Sequence, residues 1–174
     1  MRALRAVVIA LVGVLIVGGA GVSVYALLWP EEAERLYGEV QTAVRELQTE
    51  VTGHSAEVVL GRAGGVRTLD QCDGTFTEMR SYRRGGIPPV WAAHNTCGGD
   101  VILPVRVGDL VNVWRGRESQ LYRVVDVRKT PKLWVTTDEL RGLRGDLVLQ
   151  SCYYGGSHRP MKFVGLEPVR SSAP

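Results

Sequence analysis

After residue 54 the apolar side chains stop recurring every three or four positions and begin to alternate, and this change of period limits what the chain can fold into. Short runs rich in β-branched residues follow, bounded by Gly, Pro or Asp: Glu57 to Leu60, Val90 to Ala93, Leu110 to Trp114, Leu121 to Arg128, Leu133 to Thr136, Leu147 to Ser151 and Met161 to Val169. In the fourth, Tyr122, Val124, Asp126 and Arg128 alternate with Arg123, Val125 and Val127, as in a strand with one wet face. Helical periodicity shrinks to one turn at Thr137 to Leu140. Seven or eight strands in about 116 residues predict a mainly β domain over residues 55–170, a small closed or nearly closed barrel, with 171–174 as a tail.

Before residue 54 the chain reads as helix. Ala6 to Leu28 holds 23 residues without a charge, Gln, Asn or His. At 1.5 Å per residue that is about 34 Å, enough to cross a hydrocarbon core of about 30 Å. A cleaved signal peptide is the competing reading, but its apolar stretch runs only about 7–15 residues before a small-residue cleavage site. Here Tyr25, Leu27, Leu28 and Trp29 carry the run past Gly21 and Ser23, so residues 1–29 are expected to be a short n-region and a transmembrane anchor. Arg2 and Arg5 before the span, with Glu31, Glu32 and Glu34 after it, place the N-terminus in the cytoplasm and the rest outside. Residues 30–54 predict a spacer or docking helix. Pro30 suits its first turn, Leu36, Val40, Val44, Leu47 and Val51 draw one apolar stripe, and Thr52 and Gly53 end it. Two heptads are too few for a coiled coil.

Of the net charge of +3, Arg2 and Arg5 account for two. The remaining 19 basic and 18 acidic residues leave the body near neutral, without the basic footprint that nucleic acid requires. No Cys or His pair has zinc-ligand spacing, and no phosphate-binding or dinucleotide-binding glycine motif occurs, so neither metal nor cofactor is expected.

The three cysteines lie beyond the anchor, where disulfides can form. Cys72 and Cys97 both sit in glycine-rich, turn-like surroundings, and closing that loop would stabilise a small domain by roughly 3 kcal/mol. Cys152 ends the apolar run Leu147-Val148-Leu149, a position from which a nucleophile can point into a cleft. Two alternatives stand beside that reading: an inert buried thiol, or a bridge from Cys152 to Cys72 or Cys97. Candidate proton-transfer partners are His54 at the helix-to-domain junction, His94 at the end of Val90-Trp91-Ala92-Ala93, and His158 beside Arg159.

The order of these features resembles a sortase, the membrane-anchored cysteine transpeptidase of Gram-positive bacteria. Val148-Leu149-Gln150-Ser151-Cys152 is similar to the family's T-L-x-T-C motif, and Arg159 follows seven residues on, where the family has an Arg opening its last strand. His94 lies 58 residues before the cysteine, close to the family's spacing. Between them, Val105-Arg106-Val107-Gly108-Asp109-Leu110-Val111 resembles the family's L-K-x-G-D-x-V, and Tyr122 to Val127 resembles the strand after it. The chain departs from the family at Ala93, where Gly is usual, at Val148 in place of Thr, and in the brevity of 136–144.

The resemblance implies a sortase-like barrel with Cys152 as nucleophile, His94 as general acid and base, and Arg159 as stabiliser of oxyanion or substrate, with no cofactor. The implied substrate is a sorting signal of the L-P-x-T-G or L-A-x-T-G kind. The implied acceptor is an amine, a peptidoglycan precursor or a pilin lysine, at the outer face of the cell membrane. Lys is scarce, 3 against 18 Arg, which fits a GC-rich genome and, among sortase-bearing organisms, actinobacteria. Another cysteine peptidase is disfavoured because papain-like enzymes place Cys before His. The alternative from a different class is an inactive, membrane-anchored β-barrel that serves protein contacts.

Overall fold

The computed structural model describes residues 19, 21–52, 56–83, 85–132, 137–156 and 158–170. Helix α1 (Pro30–Thr52) is followed by β1 (Ala56–Gly64), the one-turn helix α2 (Val66–Leu69), β2 (Phe76–Met79), β3 (Val90–Ala92), β4 (Leu110–Arg115), β5 (Glu118–Thr130), β6 (Leu147–Cys152) and β7 (Met161–Pro168). The strands close a barrel in the order β1-β2-β3-β6-β7-β5-β4. β1 runs parallel to both β2 and β4, and β3 runs parallel to β6. The other neighbours are antiparallel.

The closed barrel agrees with the sequence expectation, and its strands differ from it in places. β2 was not foreseen: Phe76-Thr77-Glu78-Met79 is too short to display a period, yet pairing with β1 and β3 buries Phe76, Thr77 and Met79. β5 begins earlier than expected, since its polar start at Glu118 pairs with Arg115 across a tight turn at Gly116, whose φ of +64° suits glycine. The expected strand Leu133 to Thr136 lies outside the described residues. So does most of the expected membrane span, and among the described residues no helix is long and apolar enough to cross a membrane.

Two apolar clusters cover opposite faces of the β3-β6-β7 wall. Inside the barrel, Trp91, Leu149, Val164 and Leu166 pack with Val58, Phe76, Val111 and Val124. Outside it, Val90, Val148 and Phe163 pack with Leu140, Leu143 and the partly buried Tyr82, Ile87 and Met161. A strand covered on both faces loses the wet side of its alternation, which is why Leu147-Val148-Leu149 reads as an unbroken apolar run.

Helix α1 docks on the barrel, but not by its apolar stripe. Leu36, Val40, Val44 and Leu47 stay exposed. The contact face carries Gly38, against which the Tyr154 ring lies so closely that a Cβ would sit 2.4 Å from it, and Arg45, whose Nε and Nη2 donate to the buried Asp100 carboxylate at 3.0 and 3.1 Å. Tyr37 adds an edge-to-face contact with Tyr154 at 5.6 Å between ring centres.

Candidate active site

The parallel ladder of β3 and β6 pairs Val90 with Val148, Trp91 with Leu149 and Ala92 with Gln150. The Ala93 amide donates to the Gln150 carbonyl at 3.1 Å, so the register continues past the end of β3. Two residues beyond the Ala92/Gln150 pair, His94 and Cys152 stand at equivalent positions on neighbouring segments, whose spacing is about 4.8 Å in a sheet. Side chains alternate along a strand, so His94 and Cys152 belong to the face of Val90, Val148 and Phe163, outside the barrel, while Trp91, Ala93 and Leu149 face inward.

Cys152 is the free cysteine, half-buried at the end of β6 opposite Met161. Gln150 Nε2 donates to its Sγ at 3.8 Å. Burial pushes the thiol upward from its ordinary value, partly countered by the Lys132 ammonium and the Gln150 hydrogen bond. The Tyr82 phenol is likewise pushed up, by burial first and then by the charge of the Cys152 thiolate.

His94 is extended, with φ −65° and ψ 146°, and leads into a 3-10 turn at Asn95–Cys97. Its carbonyl accepts the amides of Cys97 and Gly99, both at 2.9 Å. Its Nε2 lies 2.9 Å from Asp70 Oδ1. The expected bridge is present: Cys72 and Cys97 form a disulfide with their Cα atoms 5.1 Å apart.

Arg159 is half-buried on the β6–β7 loop, which turns at Gly155 and Gly156 with φ of +100° and +85°. Its Nε donates to the Tyr154 carbonyl at 3.0 Å. The fold therefore brings Cys152 and His94 to adjoining segments with Arg159 in the loop beyond. Among the described residues no hydrogen bond joins Cys152 to His94 or Arg159, since His94 is turned to Asp70 and Arg159 to its own loop. His158 is exposed on that loop, and His54 lies outside the described residues. Among the described residues no group of three His, Cys, Asp or Glu is arranged to hold a metal.

The solved structures to which the chain is similar include sortases. Clostridium perfringens sortase C, solved with its C-terminal cell wall sorting motif, is 17% identical with a TM-score of 0.44, over 63% of this chain and 62% of that one. Sortase C-1 of Actinomyces oris is 22% identical with a TM-score of 0.46, over 64% and 67%. Listeria monocytogenes sortase A is 15% identical with a TM-score of 0.43, over 64% and 77%. The chain thus spans about three fifths of the length of the Clostridium protein. No protein-family model and no curated protein matches it.

Sequence reasoning missed Asp70, Tyr82, Lys132, Gln150 and Tyr154. Asp70 had a usable signal, because it precedes Cys72 by two residues while His94 precedes Cys97 by three, so a Cys72–Cys97 bridge draws them together. Tyr154 ties the two halves of the site: its hydroxyl donates to the Asn95 carbonyl at 3.2 Å, and burial, with the Asp100 carboxylate nearby, pushes its phenol up to about 12.

Proposed function

We propose that the chain is a divergent sortase-like cysteine transpeptidase, held by its N-terminal segment in the cell membrane with the barrel outside. The observation that carries the reading is the equivalent placement of His94 and Cys152 on one face of the β3/β6 pair, followed by the loop bearing Arg159. A likeness to sortases, one of them solved with a cell wall sorting motif, accords with it.

In this mechanism the half-buried Cys152 thiol keeps its proton until His94 takes it as sulfur attacks the carbonyl carbon of a Thr-Gly bond in an L-P-x-T-G-like or L-A-x-T-G-like signal. Arg159, permanently cationic, turns from the Tyr154 carbonyl to donate to the oxyanion. The C–N bond breaks, His94 protonates the departing amine, and a thioacyl enzyme remains. An incoming amine, from a peptidoglycan precursor or a pilin lysine, gives its proton to His94 and displaces the Cys152 thiolate.

A second reading, an inactive anchored barrel used for protein contacts, is favoured by the turn of Arg159 to the Tyr154 carbonyl of its own loop. Full-length protein incubated with sorting peptides and an amine separates the two. The first reading expects a transfer product from the wild type and none from Cys152→Ala; no product from the wild type across the peptide panel overturns it.

A further inference from the structure

The turn that follows α2 brings a carboxylate to His94 by a covalent route. Asp70, directly after Val66–Leu69, has its amide bonded to the Val66 carbonyl at 2.9 Å. Two residues on, Cys72 takes φ of +52°, a left-handed conformation costing a non-glycine residue about 1 kcal/mol or more. Its disulfide to Cys97 leads through Thr96 and Asn95 to His94, whose Nε2 closes the ring on Asp70 Oδ1. The far side of the ring is equally fixed, because a Cβ at Gly99 would lie 2.4 Å from the Ala93 carbonyl oxygen and 2.7 Å from that of His94.

We infer that Asp70 is a positioning residue for His94, and that the Cys72–Cys97 disulfide holds it in that role. The inference rests on the transpeptidase reading and adds to it the way the base is set. Both side chains are partly exposed, 39% for His94 and 56% for Asp70, so the pair adds little to stability. Its effect is on the ring. The bond made by one imidazole nitrogen decides which nitrogen carries the proton. Asp70 accepts Nε2–H and leaves Nδ1 as the base that takes the Cys152 proton. Once His94 is cationic, the same carboxylate stays beside it.

The test is steady-state transfer by full-length protein from a sorting peptide to an amine. Asp70→Ala is expected to lower kcat about tenfold, a fraction of what general acid and base catalysis supplies, with KM within about twofold. Asp70→Glu is expected to restore most of that loss. The Cys72→Ala/Cys97→Ala double variant is expected to reproduce it, and adding Asp70→Ala to that background to cost nothing further. Wild-type kcat in Asp70→Ala, or its full loss repeated without the bridge, overturns the inference while leaving the transpeptidase reading intact. Absence of transfer by the wild type overturns the reading itself. Should the bridge-free protein fail to fold, the Asp70→Ala and Asp70→Glu pair decides the question.

Discussion

The two segments that meet at the candidate site are secured by different means. The His94 segment is fastened covalently, by a disulfide three residues away, and carries an exposed ring on an exposed carboxylate. The Cys152 segment is fastened by packing, with Val148 of its strand in an apolar cluster and helix α1 pressed over Tyr154 two residues past the cysteine. The contrast follows from local composition. Asn95 to Gly99 offers almost no apolar surface to bury, so a cross-link supplies what packing cannot. β6 is covered on both faces and needs none, and the docked helix then sets the loop that leaves it.

Breaking the covalent side is expected to have the largest effect. The Cys72→Ala/Cys97→Ala variant frees a loop closed over a separation of 25 residues and is expected to lose roughly 3 kcal/mol, read from denaturant unfolding. On the packed side, Gly38→Ala discriminates by sign. A free stalk helix would gain about 1 kcal/mol from alanine, whereas a helix docked on Tyr154 is expected to lose about 2 kcal/mol through the 2.4 Å overlap. Stabilisation by Gly38→Ala contradicts docking.

Arg45→Ala is expected to cost about 1 kcal/mol, a figure reduced for the partial exposure of the guanidinium, and to speed amide exchange in α1 without changing the barrel. The mildest probe is alkylation of Cys152. Since burial holds the thiol above its ordinary value, the rate is expected to keep rising with pH beyond the usual thiol range. Lys132→Met is expected to move that rise higher still, because the ammonium favours the thiolate. A half-maximal rate at the ordinary thiol value would contradict a thiol controlled by burial.

What was legible in the sequence follows the same division. The period change at residue 54 and most strands of the barrel were readable because alternation survives in one dimension, whereas His94, Cys152 and Arg159 were singled out by the resemblance to a known family. The docking face of α1 was not. The stripe of Leu36, Val40, Val44 and Leu47 left the docking side open, since periodicity reports where apolar residues lie and not how near a glycine lets a ring approach. β2 escaped because four residues cannot show a period, and Asp70 because its partner is reached only through the disulfide.

The central claim is that Cys152 acts as a nucleophile, and intact-mass measurement of full-length protein quenched in acid after mixing with a sorting peptide tests it most directly. The account predicts an adduct equal to the acyl portion of the peptide, mapped to Cys152, lost on adding an amine and absent from Cys152→Ala. Unmodified wild-type protein across L-P-x-T-G and L-A-x-T-G peptides would contradict it.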